Sequence, residues 1–286
     1  MTYLTLSNGV KIPQVGYGVY QVSKEECKRC VLDALSVGYR HIDTAQAYFN
    51  ESEVGEAILE SGIERKEIFL TTKVWIDNYG EGKTYDSVIE SLRKLKTDYI
   101  DLILLHQAIG DIYGAYRDLV KLYNEGKVKA IGISNFRPYK LAEFALFNDA
   151  IPMVNQIELH PLFQQDQALD VMKKYNIIPE AWAPLGEGRK GLFTNEVLVN
   201  IGKKYNKTPA QVMLRWNLER GVVILPKSTH KERMIENLNI FDFQLSSEDK
   251  EAIKQLDTNS SSFFEFEDPN TPVFFANLVK ERKNKK

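Results

Sequence analysis

The 286-residue chain is poor in sulfur and histidine, with two cysteines and four histidines. So few thiols exclude a disulfide framework. Cys27 and Cys30 form a C-x-x-C, but no second pair joins them. Lys24–Val37 reads as a helix, so they are expected as reduced thiols one turn apart. Charge bias is absent too: 37 Lys and Arg face 39 Asp and Glu, a net charge of -2. That argues against a nucleic-acid-binding surface, which calls for a basic excess. The basic end, Lys280–Lys286, reads as a solvated tail. No run nears the roughly 18 apolar residues a membrane helix needs, and Met1–Val10 has no signal-peptide pattern. The expectation is a cytoplasmic protein without a membrane partner. No Pro/Gly-rich linker interrupts the chain, so one domain is expected over residues 1–286. No His/Asp/Glu cluster has metal-ligand spacing. A metal-dependent hydrolase is therefore disfavoured and no metal site is expected.

What the chain does contain is a repeating unit: a short β-branched run, a polar loop and an amphipathic stretch of 10 to 15 residues. This alternation predicts a parallel sheet with crossover helices. Asn8-Gly9 between Leu4–Ser7 and Val10–Ile12 predicts a hairpin ahead of the repeats. Eight strands follow: Val15–Gly18, Arg40–Asp43, Ile68–Val74, Tyr99–His106, Ala130–Ser134, Met153–Gln156, Ile177–Trp182 and Val222–Leu225. Helices are expected at Lys24–Val37, from an N-cap at Asn50, and at Thr84–Leu95, Ile112–Glu125, Pro138–Phe147, Gln165–Tyr175, Thr208–Glu219 and Lys231–Asn239. Another starts at Ser246, and the last roughly 30 residues read as an irregular tail. Eight units point to a closed α/β (β/α)8 TIM barrel. The alternative is an open doubly wound sheet. Gly16-Tyr17-Gly18-Val19-Tyr20-Gln21 lacks the third glycine of the dinucleotide fingerprint, which argues against it.

In such a barrel the site lies at the C-terminal strand ends. Asp43, Lys73 and His106 end three successive apolar runs, and Tyr48 follows Asp43 closely. Each alone is a weak signal. Together they are specific, because burying an Asp and a Lys without purpose is costly. They also suit carbonyl reduction, which needs a hydride and a proton. A tyrosine is a poor acid at neutral pH, an ammonium beside it lowers its pKa, and a carboxylate holds that ammonium. A neutral imidazole can orient the carbonyl oxygen.

Four motifs are specific. They are Arg40-His41-Ile42-Asp43-Thr44-Ala45 with Tyr48, Gly126 through Phe136 (GKVKAIGISNF), Asn155-Gln156-Ile157-Glu158-Leu159-His160-Pro161, and Leu225-Pro226-Lys227-Ser228. With them the sequence resembles an aldo-keto reductase, in the microbial branch of that family, from Gly16 to about Asp257. The resemblance implies reduction of aldehydes and ketones by NADPH. Tyr48 would donate the proton, Lys73 tune it, Asp43 pair with Lys73, and His106 orient the substrate. It assigns Ser134, Asn135 and Gln156 to the nicotinamide carboxamide and Trp182 to the nicotinamide face. Leu185, Lys227, Ser228, Arg233, Glu236 and Asn237 would hold the rest of the cofactor, with Lys227 and Arg233 favouring NADPH over NADH.

Ala183-Pro184-Leu185-Gly186 replaces the usual Ser-Pro-Leu-Gly, which removes one possible pyrophosphate contact. Gln107-Ala108 stands where many relatives have Trp-Pro. Tyr20, Phe49, Trp75 and His106 would line the substrate entrance, with Phe263, Phe264 or Phe274 from the tail. Short loops at Asp77–Lys83 and after His106 predict a more open, less selective site. The family default is a monomer. The competing reading is a non-catalytic NADPH-binding regulatory subunit, and the intact set of four residues argues against it.

Overall fold

A computed structural model of the chain describes residues 2–284, with side chains to residue 281. Strands β1 (Tyr3–Thr5) and β2 (Lys11–Pro13) form the expected antiparallel hairpin, turned by Gly9 at φ +88. Asn8 Nδ2 donates to the Lys129 carbonyl and Gln14 Nε2 to the Leu218 carbonyl. The hairpin thus lies against chain that precedes the strands, at the end opposite the site.

Eight parallel strands follow: β3 (Tyr17–Gly18), β4 (His41–Asp43), β5 (Phe69–Val74), β6 (Leu102–Leu105), β7 (Ile131–Ser134), β8 (Val154–Glu158), β9 (Ile178–Trp182) and β10 (Val223–Ile224). They are hydrogen-bonded in sequence order from β3 to β10. The ring closes where Val15 bridges Ile224, with Gly16 N–H donating to the Ile224 carbonyl at 2.8 Å and Ile224 N–H to the Gln14 carbonyl at 2.9 Å. Gly16 is needed there, because a Cβ would lie 2.6 Å from Leu225 and 2.7 Å from the His41 ring. The fold is the (β/α)8 barrel.

Helices α1 (Lys24–Ser36), α2 (Glu51–Glu60), α3 (Lys83–Lys94), α4 (Ile112–Asn124), α5 (Pro138–Phe147), α6 (Asp166–Lys174), α7 (Glu196–Tyr205), α8 (Pro209–Glu219), α9 (Lys231–Leu238), α10 (Ser247–Lys254) and α11 (Asn270–Asn284) complete the described chain. Thr208 and Gln211 form a reciprocal capping box at α8, with Pro209 in its first turn, where a missing N–H costs least. Asn50 behaves differently from its expected capping role. Its side chain makes no cap bond. Fully buried, it accepts from Thr44 Oγ1 at 2.8 Å and donates to the Val19 carbonyl at 3.1 Å, tying two loops of the site together.

Two further expectations are corrected. The tail is irregular only as far as Pro269. From Asn270 it is helical, because Phe275 finds an apolar seat against Trp75, and tertiary burial of this kind stabilises a helix whose local pattern is weak. Residues 186–207, left without an element in the sequence reading, hold a kinked loop at Gly186–Thr194 and helix α7, which Asn195 caps. Cys27 and Cys30 are buried free thiols in α1. Among the described residues no helix is long and apolar enough to cross a membrane, and no group of three His, Cys, Asp or Glu could hold a metal ion.

Candidate active site

Alternation along the strands decides what faces the barrel axis, since successive side chains point to opposite sides. On β5, Thr72 turns outward to donate to Glu51 of α2. Thr71 and Lys73 turn inward, Thr71 to His41 and Lys73 to Asp43. His41 and Asp43 share the inner face of β4, while Ile42 between them belongs to the apolar core.

Lys73 is wholly buried and binds three oxygens. Its Nζ lies 2.5 Å from Asp43 Oδ1, 3.0 Å from the Thr44 carbonyl and 3.2 Å from Tyr48 Oη. The Tyr48 ring packs edge-on to His106 at 5.6 Å and tilted against Tyr20 at 5.0 Å, and Trp75 meets His106 at 5.1 Å. Lys73 therefore joins Asp43 to the Tyr48 hydroxyl, and His106 packs against the Tyr48 ring.

Charge in this cluster is governed by burial. Burial works against the Lys73 ammonium, but Asp43 and Tyr48 outweigh it and hold the group above its ordinary value. Burial pushes Tyr48 up to about 12, with Lys73 pulling the other way. The sequence-based expectation had the ammonium lowering this pKa. The pull is present, but removal from water is the larger effect, and the hydroxyl keeps its proton at neutral pH.

A cavity of about 760 Å³ opens beside this cluster. Its lining includes Asp43, Tyr48, Trp75 and His106, together with Ser134, Asn135, Gln156, Trp182, Leu185, Lys227 and Arg233. Tyr20, Phe263, Phe264 and Phe274 also line it, as does Gln107. Phe49 does not. Its backbone is left-handed at φ +60, the ring is 51% exposed, and it stands outside the cavity wall. Ser228, Glu236 and Asn237 are likewise outside the lining. Ser228 closes a turn with the His230 N–H, Glu236 accepts from Thr208 Oγ1, and Asn237 is one of the buried residues of α9.

The amides of the cavity wall are oriented in series. An indole N–H can only donate, so Trp182 Nε1, 2.8 Å from Asn135, identifies Oδ1. Asn135 Nδ2 then donates to the His106 carbonyl at 3.1 Å and to Gln107 Oε1 at 3.2 Å. This leaves the Gln107 Nε2 hydrogens as donors on the wall. Gln156 gives its amide hydrogens to Asp43 Oδ2 at 3.0 Å and Glu180 Oε2 at 2.8 Å. Ser134 Oγ donates to the Gln156 carbonyl.

Sequence reading passed over Glu158, Glu180, Phe266, Phe275 and Arg189. Glu158, at the end of β8, accepts from Ser261 Oγ at 2.5 Å and from the Ser262 N–H at 2.8 Å, which anchors the tail over the cavity. Arg189 donates to the Ser262 carbonyl and lies 4.1 Å over the Phe263 ring. The anchored tail brings Phe264, Phe266, Phe274 and Phe275 to the Trp75 end. The short loops therefore leave space that an aromatic wall from the C-terminus fills. The usable signal for Glu158 and Glu180 was two-residue spacing, since they follow Gln156 and precede Trp182 along one strand face.

Fold and site together define a barrel oxidoreductase with a buried lysine against a tyrosine hydroxyl. Residues 12–258 match the model of the aldo/keto reductase family, and the chain belongs to that family. It is an NADP-dependent oxidoreductase of carbonyl compounds. It is 46% identical over 253 residues to a glyoxal reductase of Bacillus subtilis, covering 88% of this chain and 91% of that one. It is 41% identical over 259 residues to a methylglyoxal reductase of Escherichia coli, covering 90% and 94%. Among solved structures, a Bombyx mori aldo-keto reductase in complex with NADP superposes with a TM-score of 0.88 at 31% identity, covering 94% of this chain and 96% of that one.

Proposed function

We propose that this chain, as a cytoplasmic monomer with one domain over residues 1–286, reduces small aldehydes and 2-oxoaldehydes to alcohols with NADPH. Tyr48 is the proton donor. The observation that carries this reading is the triple contact of Lys73 Nζ with Asp43, Thr44 and Tyr48 Oη at the floor of the cavity. The likeness to glyoxal and methylglyoxal reductases supports the substrate class.

The chain fits NADPH. Lys227 and Arg233 both line the cavity. Arg233 lies in the first turn of α9, whose N–H groups add to an anion site. These residues would hold the 2′-phosphate, with Ser228 shaping the turn. Leu185 lines the same cavity, and Glu236 and Asn237 follow Arg233 on α9. Ser134, Asn135, Gln156 and Trp182 would set the nicotinamide at the Tyr48 end. The bound cofactor supplies the hydride.

The protein's own part is to place and polarise the carbonyl. The substrate oxygen sits between Tyr48 Oη and His106, and the phenol passes its proton to that oxygen as negative charge develops there. Lys73 stabilises the phenolate left behind, and Asp43 holds Lys73 in place. Gln107 Nε2 offers a donor to a second oxygen, as a 2-oxoaldehyde carries. The aromatic wall excludes water. Loss of NADPH absorbance with methylglyoxal and with an aryl aldehyde tests the reading, and no turnover of either would overturn it.

Arg233→Ala should raise KM for NADPH about 10- to 100-fold, the usual range for losing a charge-assisted phosphate contact. KM for NADH, which has no 2′-phosphate, should change little, and parallel titrations of the two cofactors check this. Phe275 is 3% exposed and packs on Trp75 at 6.0 Å. Phe275→Ala should raise KM for a benzaldehyde about tenfold, from lost apolar contact, with a smaller change for methylglyoxal. Specificity constants across small and bulky aldehydes give the comparison.

A further inference from the structure

The proton-donor reading of Tyr48 uses Asp43, Lys73 and His106 but leaves a second buried carboxyl unexplained. Glu180 sits on β9, has no exposed surface, and is paired in register with Gln156 of β8. Its Oε2 accepts from Gln156 Nε2 at 2.8 Å, and the same nitrogen donates to Asp43 Oδ2 at 3.0 Å. One amide thus joins two carboxyls, and only Asp43 touches the lysine. Glu180 Oε1 has no hydrogen-bond partner among the described residues.

We propose that Glu180 is a positioning residue for the Tyr48 acid: a carboxyl kept protonated beneath Asp43 and coupled to it through Gln156, so that the barrel interior carries one ion pair and no net charge. The proposal rests on the reading of Tyr48 as proton donor.

Electrostatics decides which carboxyl keeps the proton. The charged or titratable groups facing Glu180 are Asp43 and His41 from β4 and Lys73 from β5. His41 offers no countercharge. Burial pulls its pKa down to about 3, and its Nε2 lies 3.8 Å from Glu180 Oε1, engaged instead with Thr71 Oγ1 at 3.0 Å. Lys73 contacts Asp43 directly. Two carboxylates against one ammonium would leave a net negative charge in a dry interior, which is expensive. Burial, reinforced by the Asp43 charge, pushes Glu180 up to about 8. When Glu180 ionises, the added negative charge opposes the phenolate that proton donation leaves on Tyr48 and weakens the acid.

Glu180→Gln keeps the shape and removes the titration. Between the ordinary carboxyl value and about 8, the native protein holds a proton that the unfolded chain releases, so wild-type stability falls as pH rises through that window and levels above it. The Tm of wild type minus that of Glu180→Gln should therefore fall from pH 5 to 8. A flat difference would overturn the protonated carboxyl. Infrared spectroscopy of the wild type, with isotope-labelled glutamate to separate Glu180 from Asp43, gives the same answer if the variant fails to fold. A protonated carboxyl band should fade as pH rises through about 8, and its absence at pH 6 would overturn the proposal.

The link to Tyr48 is read from kcat. Relative to its value at pH 6.5, wild-type kcat for reduction should drop about three- to tenfold more than that of Glu180→Gln by pH 9, with KM moving equally in both. Superimposed kcat profiles alongside a titrating Glu180 would overturn the positioning role. The melting and infrared results do not depend on turnover, so a failure of the Tyr48 reading would be seen separately.

Discussion

Tyr48→Phe should lower kcat for aldehyde reduction by about 10²–10⁴-fold, the usual contribution of a positioned general acid. Affinity for NADPH should stay within about threefold, because what is deleted is one hydroxyl and not a wall of the cavity. The ring contacts that seat Tyr48, with Tyr20 at 5.0 Å and His106 at 5.6 Å, do not involve that hydroxyl. Lys73 keeps two of its three oxygen partners, Asp43 and the Thr44 carbonyl. NADPH absorbance gives kcat, and quenching of tryptophan fluorescence gives cofactor affinity. The hydroxyl is pushed up to about 12, so in the cofactor-free protein the acid stays protonated from pH 6 to 9. A variant that retained parental turnover would transfer the acid role to His106.

Most of this arrangement could be read from the sequence, and the reasons differ from part to part. Asp43, Lys73 and His106 were visible because each ends an apolar run, where an ionisable group is out of place without a task. The barrel was visible because eight β-branched runs alternate with amphipathic stretches. Closure depends on something less visible: the contact of Val15 and Gly16 with Ile224, more than 200 residues away in the chain. Glu180 was legible only through Trp182, whose strand face it shares two residues earlier. Its partner was not, because that is settled by strand register with Gln156. The tail misled for a related reason. Its phenylalanines carry little helical periodicity, and α11 owes its place to Trp75 and to the Glu158 anchor. It also lies beyond residue 258, where the family match ends, and its phenylalanines line the cavity, which makes them the place to look for substrate preference.

Lys73→Met should be the most destabilising single change in the site, by about 3–5 kcal/mol, because it leaves a buried carboxylate without its partner. Asp43 is about 4% exposed, and its oxygens are held by Lys73 and Gln156 alone among the hydrogen bonds described for it. Without the ammonium, burial pushes Asp43 further above its ordinary value. The variant should therefore fold with Asp43 protonated, and its stability should fall as pH rises from the ordinary carboxylate range toward that raised value. Wild type escapes much of this loss because Lys73 compensates Asp43. Turnover should drop as well, since nothing then offsets the phenolate left on Tyr48. The double variant Asp43→Asn/Lys73→Met separates the two effects. Removing both charges should restore most of the Tm lost by Lys73→Met, because no ion is left stranded, yet kcat should stay low, because the tyrosine still lacks its ammonium. Recovery of both together would mean that Lys73 serves the fold and not the reaction.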